Sequence, residues 1–213
     1  MRPCPCTVHH EPRRVVLTGG PGAGKTAVLE LIRQSFCQHV HVLPESAGIV
    51  FGGGFPRDRD PRVLRPAQRA IFFVQRELEA TAEAAQPAVV LCDRGTVDGC
   101  AYWPGPEDLW SSVGTTLTEQ LNRYYAVIHL HPPSLDQGYN RTNPLRIESP
   151  TEAAAIDALI ALAWDQHPRR FPIEATPDFL DKARHTMAVL RELVPPCCRQ
   201  HILPAIDSPA TIA

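Results

Sequence analysis

The sequence predicts an α/β fold in three layers, with helices on both faces of a mainly parallel sheet. Short apolar runs that suit buried strands alternate along the chain with longer runs of helical spacing. This alternation is typical of strand–helix–strand units with right-handed crossovers. A glycine-rich segment joins the first strand to the first helix. The 213 residues are 44% hydrophobic and 21% charged, which suits one domain with a full core.

Three strands and two helices are predicted in the first half of the chain. The third strand is continuously apolar, as expected of a central parallel strand that is covered on both faces. The helices show apolar residues at helical spacing, and the glycines at 52–54 form a segment that cannot be regular. The predicted order is strand 15–18, a helix to about residue 36, strand 39–43, helix 67–85 and strand 88–92.

Two strands and two helices are predicted in the second half. A fourth strand at 126–130 stops before two prolines. The next helix has a complete start signal, because Ser149 can cap it, Pro150 suits the first turn and Glu152 completes a capping box. A short fifth strand is predicted at 170–173, and apolar residues from Leu180 to Val194 mark a final helix.

Residues 13–194 are predicted to form the domain, with residues 1–12 and 195–213 as loosely held tails, because both ends lack apolar periodicity. Each tail contains side chains of the types that bind metals. These are Cys4-x-Cys6 with His9 and His10, and Cys197-Cys198 with His201. Neither group has a second well-spaced pair, so the sequence argues against a zinc site in either tail and leaves metal binding open.

Charge and cysteine usage exclude several classes of protein. A formal charge of -2 and a pI near 6.5 give no basic field for nucleic acid. Seven cysteines without a framework spacing suit a reducing compartment. No apolar run approaches the roughly 20 residues of a membrane span, and the first residues do not resemble a signal peptide. We therefore expect a cytosolic protein with neither nucleic acid nor membrane as a partner.

The glycine-rich segment matches Gly-x-x-x-x-Gly-Lys-Thr between a predicted strand and a predicted helix, which is the context that this motif requires. Its residues are Gly19, Gly20, Pro21, Gly22, Ala23, Gly24, Lys25 and Thr26. The glycines let successive N–H groups face one anion, and the helix adds its positive end. Lys25 would neutralise the β- and γ-phosphates, and Thr26 would bind Mg²⁺. The motif predicts a P-loop that binds ATP or a close relative with Mg²⁺.

Two carboxylates end predicted strands, and the carboxyl ends of parallel strands surround a ligand crevice. Asp93 could hold Mg²⁺ or one of its waters, or it could only cap a helix. The adjacent Arg94 could hold a phosphate or orient a substrate. Glu45 could accept the proton of an attacking hydroxyl, and a solvated loop glutamate is the alternative.

Further candidates lie nearby in the predicted topology. Arg141 and Arg146 follow the fourth strand, where a cover over the phosphates could be built and could stabilise charge on the transferred group. A solvated arginine-rich loop is the alternative. Tyr102 and Trp103 could stack on a substrate ring or pack in the core.

Four segments together resemble the AAA_28-type P-loop family, which includes the ribosylnicotinamide kinase domain of the bacterial NadR protein. They are the glycine loop, Leu43-Pro44-Glu45-Ser46-Ala47, Asp93-Arg94-Gly95-x-x-Asp98-Gly99-x-Ala101-Tyr102 and Asn143-Pro144-x-Arg146-x-Glu148-Ser149. The resemblance covers about residues 13–194. It implies a P-loop NTPase fold of the nucleoside and nucleotide kinase type, with a five-stranded sheet in the order 2-3-1-4-5 and a lid. It also implies that Glu45 is the base and that Asp93 and Arg94 form the acidic–arginine pair of related kinases.

These observations favour an ATP-dependent kinase that phosphorylates a hydroxyl of a nucleoside- or riboside-like small molecule. Its expected catalytic residues are Lys25, Glu45, Asp93, Arg94, Arg141 and Arg146. A GTPase is disfavoured, because the two lysines, Lys25 and Lys182, do not lie in an Asn-Lys-x-Asp segment. A ring-forming ATPase motor is disfavoured, because the chain after the P-loop domain is too short for a helical lid domain. A stand-alone ATPase or a nucleotide sensor stays open.

Overall fold

Five strands form one sheet in the part of the chain that the structure describes, and all neighbouring strands are parallel. The structure is a computed structural model that describes residues 4, 6–133, 149–176 and 178–199. The strands are β1 (Arg13–Thr18), β2 (Val40–Val42), β3 (Val89–Asp93), β4 (Ala126–Leu130) and β5 (Arg170–Ile173). Their order is β2-β3-β1-β4-β5. The predicted parallel sheet and its order are confirmed.

Helices connect the strands and cover the sheet. They are α1 (Lys25–Ser35), α2 (Ser46–Gly52), α3 (Pro61–Glu83), α4 (Leu109–Val113), α5 (Leu117–Leu121), α6 (Pro150–Ala163), α7 (Phe179–Leu193) and α8 (Pro196–Arg199), with a 3₁₀-helix at Thr96–Tyr102. Among the described helices, none is long and apolar enough to span a membrane.

The side chains of β1 alternate between two hydrophobic cores, as the pleat of a strand requires. Val15 and Leu17 pack in the core that includes side chains of α1 and α7. Val16 packs in the other core, which includes side chains of α3 and α6. All three residues are fully buried. Two cores on opposite faces of one sheet give the three layers that the sequence predicts.

Two helix starts show what local sequence can and cannot predict. The capping box before α6 is confirmed, because the Ser149 hydroxyl accepts from the Glu152 N–H at 3.2 Å and the Glu152 carboxylate accepts from the Ser149 N–H at 2.8 Å. Helix α3 begins six residues before its predicted start at 67, with Asp60 accepting from the Arg62 N–H at 2.9 Å. Pro66 lies inside α3, where it lacks the N–H that a residue in a helix interior normally donates. The predicted start of the helix at 67 directly follows this proline.

The domain limits at 13 and 194 stay a prediction, but described residues beyond them contact the core. Cys4 and Cys6 pack against the core of α1 and α7, and Cys198 in α8 is fully buried within it. These three residues are therefore held against the core and are not parts of loose tails. Thiol side chains are buried in protein cores much as small hydrophobic side chains are. The predicted lid falls within 134–148, outside the described residues.

Candidate active site

The glycine loop lies between β1 and α1, as predicted, and its backbone needs glycine. Gly19 has φ 136° and Gly24 has φ 91°, conformations that other residues rarely adopt. A Cβ on Gly19 would collide with the carbonyl oxygen of Leu130 at the end of β4. The Lys25 ammonium donates to the carbonyl oxygens of Gly19 and Gly20 at 2.7 and 3.0 Å. The lysine therefore lies across the loop where phosphates would bind.

Charged side chains of both signs converge beside this loop. They are Lys25, Glu45, Asp93, Arg94 and Asp98. Burial and the nearby Arg94 guanidinium lower the pKa of Lys25 to about 7, against the attraction of the three carboxylates. A bound triphosphate would place negative charge next to the ammonium and favour its charged form.

Asp93 has an environment that suits a magnesium ligand. Burial and the Glu45 carboxylate raise the pKa of Asp93 to about 6, against the attraction of Lys25 and Arg94. Its Oδ1 atom is buried and, among the described residues, has no hydrogen-bond partner. Such an oxygen is costly unless something satisfies it, and Mg²⁺ prefers carboxylate and hydroxyl oxygens. Asp93 and the exposed Thr26 therefore offer donors that fit Mg²⁺.

Arg94 connects two carboxylates at the site. Its Nε donates to Glu45 Oε1 at 2.9 Å, and its Nη1 donates to Asp98 Oδ1 at 3.4 Å. Its guanidinium carbon lies 5.5 Å from the centre of the Tyr102 ring. Burial opposes its charge, but Tyr102 and the neighbouring carboxylates hold the pKa of Arg94 above its ordinary value. Its φ of 70° is rare for a residue with a side chain, so backbone strain accompanies this fixed cation.

Asp98 holds several elements of the site together, a role that the sequence did not predict. Its carboxylate is 3% exposed and accepts hydrogen bonds from the Thr18 hydroxyl, the Gly95 N–H at 2.9 Å and the Trp164 indole N–H at 3.2 Å. The one local signal was a second carboxylate five residues after Asp93. Trp164 could not be anticipated, because it lies directly after α6, on a distant part of the chain.

A cavity of about 770 Å³ adjoins the loop, which is within the range of about 300–1,000 Å³ typical of ligand pockets. Pro21 and Thr26 of the loop line it, together with Glu45 and Arg94. The rest of its lining combines apolar and aromatic side chains with two amides and the charged Arg57 and Asp98. These side chains include Phe51, Ile71, Phe72, Tyr102, Leu109, Gln68 and Gln75. One pocket therefore joins the phosphate loop to a surface that suits a ring.

A buried carboxylate sets the orientation of Gln75. Glu79 is fully buried and accepts from Gln75 Nε2 at 2.9 Å and from the Tyr124 hydroxyl at 2.8 Å, and it also pairs with Arg123. A carboxylate can only accept, so the amide nitrogen of Gln75 must face it. Gln75 Oε1 is buried and has no partner among the described residues.

A second buried carboxylate, also missed in the sequence, supports the loop from α6. Asp157 accepts from the Gly20 N–H at 2.6 Å and lies 2.8 Å from His129 Nε2 and 2.7 Å from His131 Nδ1. Burial opposes its charge, but these partners hold the pKa of Asp157 below its usual range. His129 in β4 and His131 directly after it thus hold a group that supports the loop.

The structure brings most of the predicted site residues together. Glu45, Arg94 and Thr26 line one cavity, and Lys25 and Asp93 lie within electrostatic reach of them. Tyr102 lines the same cavity, whereas the Trp103 indole donates to the Glu107 carbonyl at 2.6 Å. Arg141 and Arg146 lie outside the described residues.

Comparison with known proteins agrees with this geometry. The AAA_28 family model, described as an AAA domain, matches residues 14–182. A crystal structure of NadR protein in complex with NR superposes with a TM-score of 0.64 at 14% identity, covering 87% of this chain and 52% of that chain. A crystal structure of NadR protein in complex with NAD and AMP-PNP superposes with a TM-score of 0.61 at 14% identity, covering 86% of this chain and 49% of that chain. The chain spans about half the length of these proteins, and the likeness shows the fold. Comparison with curated proteins gives no match.

Proposed function

The chain belongs to the AAA_28 family of AAA domains, and from this membership and the geometry of the site we propose that it is an ATP-dependent small-molecule kinase. It would transfer the γ-phosphoryl group of ATP to a hydroxyl of the acceptor. The observation that carries the proposal is the cavity that adjoins the loop at Thr26 and has Glu45 and Arg94 in its wall. An ATPase that activates only water needs no large, mainly apolar pocket beside the phosphates.

Each charged group has a role in this proposal. The loop amides and Lys25 bind the phosphates. Thr26 and Asp93 would hold Mg²⁺, which neutralises phosphate charge when it is bound. Glu45 takes the proton of the acceptor hydroxyl. Arg94 orients Glu45 through Oε1, and among the described residues no hydrogen bond uses Oε2, so this oxygen can face the acceptor.

The cavity lining favours an acceptor with a flat ring and a hydroxyl-bearing sugar. Phe51, Phe72 and Tyr102 offer ring faces and edges. The Gln68 amide in the cavity wall can form a hydrogen bond with a polar group of the ring or the sugar. The NadR structures that share this fold contain NR in one case and NAD with AMP-PNP, an ATP analogue, in the other. These ligands support a nucleoside- or riboside-like acceptor with ATP as the phosphoryl donor.

The test is a transfer assay with labelled ATP, Mg²⁺ and a panel of nucleosides, nucleotides, ribosides and sugars. We expect one class of acceptor to yield a labelled product and to raise ATP turnover. The Lys25→Ala variant is the control for contaminating kinases. Hydrolysis of ATP that no acceptor accelerates would replace this proposal with a stand-alone ATPase.

A further inference from the structure

The two ends of the described chain, which are far apart in sequence, meet beside the start of β2. The meeting point gathers five of the seven cysteines and two histidines. They are Cys4, Cys6, Cys37, Cys197 and Cys198, with His10 and His39. Thiols and imidazoles are the side chains that zinc prefers. None of these residues belongs to the proposed kinase site.

Four of these side chains have the spacing of a tetrahedral metal site. Cys198 Sγ lies 3.4 Å from His39 Nδ1 and 3.6 Å from His10 Nε2, and Cys6 Sγ lies 3.9 Å from His10 Nε2. All four ligand atoms lie within 4.8 Å of one another. Zinc bonds of about 2.3 Å to sulfur and about 2.0–2.1 Å to nitrogen place these atoms about 3.6 Å apart in a tetrahedron. The three sulfur–nitrogen distances given above fall close to that value.

We propose that Cys6, His10, His39 and Cys198 bind one structural Zn²⁺. Two thiolates and two imidazoles complete a four-coordinate site, which is the closed arrangement of structural zinc. Cys198 is buried and the other three ligands are half-buried, so the ion would lie at the edge of the core. Cys4 and Cys37 also approach His39, but that group offers three ligands where the proposed site offers four.

The proposed ion would fasten three separate parts of the fold to one another. Its ligands come from the segment before β1, the connection between α1 and β2, and α8. Because the unfolded chain would not preform such a site, the binding free energy of the metal becomes folding free energy. Zinc would therefore stabilise edge strand β2 and both ends of the domain.

Zinc content of the full chain tests the proposal directly. Protein purified under reducing conditions without chelator should contain about one zinc per chain, measured by plasma mass spectrometry. His10→Gln and Cys198→Ser should each weaken zinc binding by on the order of 10²-fold in a competition titration. The matched controls are His9→Gln, at the exposed neighbour of His10, and Cys100→Ser, at a cysteine outside the cluster. Both should keep the parental affinity.

A cobalt-substituted sample gives a second measurement that does not depend on activity. Cobalt in the parent should show the visible spectrum of tetrahedral coordination with thiolate charge transfer, and Cys198→Ser should lose much of the charge-transfer intensity. Circular dichroism checks that Cys198→Ser, a variant in the core, still folds. His10→Gln changes a half-buried residue, so it tests the same site outside the packed core. EDTA should lower the Tm of the parent and of both controls, and the decrease should be smaller for His10→Gln.

Three results would overturn the proposal. The parent could contain no zinc and bind no cobalt. His10→Gln and Cys198→Ser could both retain zinc as the parent does. Finally, intact mass of freshly purified protein could show a disulfide among these thiols, which would leave too few ligands for the ion.

Discussion

Replacing Glu45 with Gln removes the proposed base and keeps its shape. The new amide oxygen can accept the hydrogen bond that Arg94 Nε now donates to Glu45 Oε1 at 2.9 Å. Arg94 also keeps Asp98, whose Oδ1 lies 3.4 Å from its Nη1. The guanidinium therefore stays in place, and the main change is the loss of a group that can take a proton.

The structure sets the size of each expected effect. Transfer to the acceptor should fall by about 10²–10⁴-fold, which is the usual contribution of a general base. Folding should lose little, because the Glu45 side chain is 40% exposed and such ion pairs contribute about 0–1 kcal/mol. ATP should bind almost as it does to the parent, since Lys25 and the loop amides are untouched. The loss should therefore appear in kcat and not in nucleotide affinity.

Three measurements on each variant test this reasoning. They are the rate of acceptor phosphorylation, the Kd for ATP by calorimetry and the midpoint of urea unfolding. Glu30→Gln is the matched control, because Glu30 is exposed on α1 and its partners among the described residues, Gln34 and Arg33, lie on the same helix. A parental transfer rate in Glu45→Gln would refute Glu45 as the base. Loss of ATP binding itself would assign Glu45 a metal or structural role instead.

Three further predictions concern charge in the core of the site. Lys25→Ala should keep the far-UV circular dichroism of the parent while triphosphate binding weakens and turnover nearly disappears; normal turnover would contradict the assigned nucleotide site. Because the pKa of Asp93 is about 6, falling pH protonates this carboxylate, and Mg²⁺ affinity should fall about tenfold per pH unit below that value. Asp93→Asn should bind Mg²⁺ more weakly and without this pH dependence, and a dependence like that of the parent would exclude Asp93 as a ligand. Arg123→Met should lower the free energy of unfolding in urea by about 1–3 kcal/mol, because the fully buried Glu79 loses this partner and keeps Arg14, whose Nε lies 3.7 Å from its Oε2. Adding Glu79→Gln should restore part of that loss, and strictly additive losses would contradict the pairing.

The elements that the sequence predicts correctly carry their signal within a few residues. Strand β5 occupies Arg170–Ile173, as the pattern predicts, and the capping box locates the start of α6. The 3₁₀-helix and helices α4 and α5 have five to seven residues each. Segments this short show too few turns for a period to be recognised.

The same distinction separates the parts of the site. The P-loop, Asp93 and Glu45 were predictable, because motif and strand end define them locally. Asp157 was not, since it contacts the loop from α6, which lies far along the chain. For the same reason, the sequence showed the cysteine–histidine cluster only as two separate terminal groups and not as one site. Its four ligands come from three distant segments, so the spacing within the first segment shows two of them, Cys6 and His10, and the last segment shows one, Cys198.

The charge balance of the site indicates where further positive charge is needed. Five charged groups of the described site lie near the phosphate position. They are Lys25 and Arg94, which are positive, and Glu45, Asp93 and Asp98, which are negative when ionised. One negative charge is therefore uncompensated before any ligand binds, and a triphosphate with Mg²⁺ would add about two more.

Such an excess is unfavourable in a pocket of low dielectric, most of all when negative charge moves during transfer. Apart from Arg94, the cation among the described residues of the cavity lining is Arg57, whose guanidinium carbon lies 4.8 Å from the centre of the Phe51 ring. One arginine cannot offset the whole excess. The loop amides and the start of α1 offset a further part, and additional cations would lower the cost again. Arg141 and Arg146 follow β4 in the sequence, and the carboxyl end of β4 lies against the P-loop at Gly19. The balance of charge thus gives a physical reason, independent of the family resemblance, for expecting these two arginines to act on the transferred phosphoryl group.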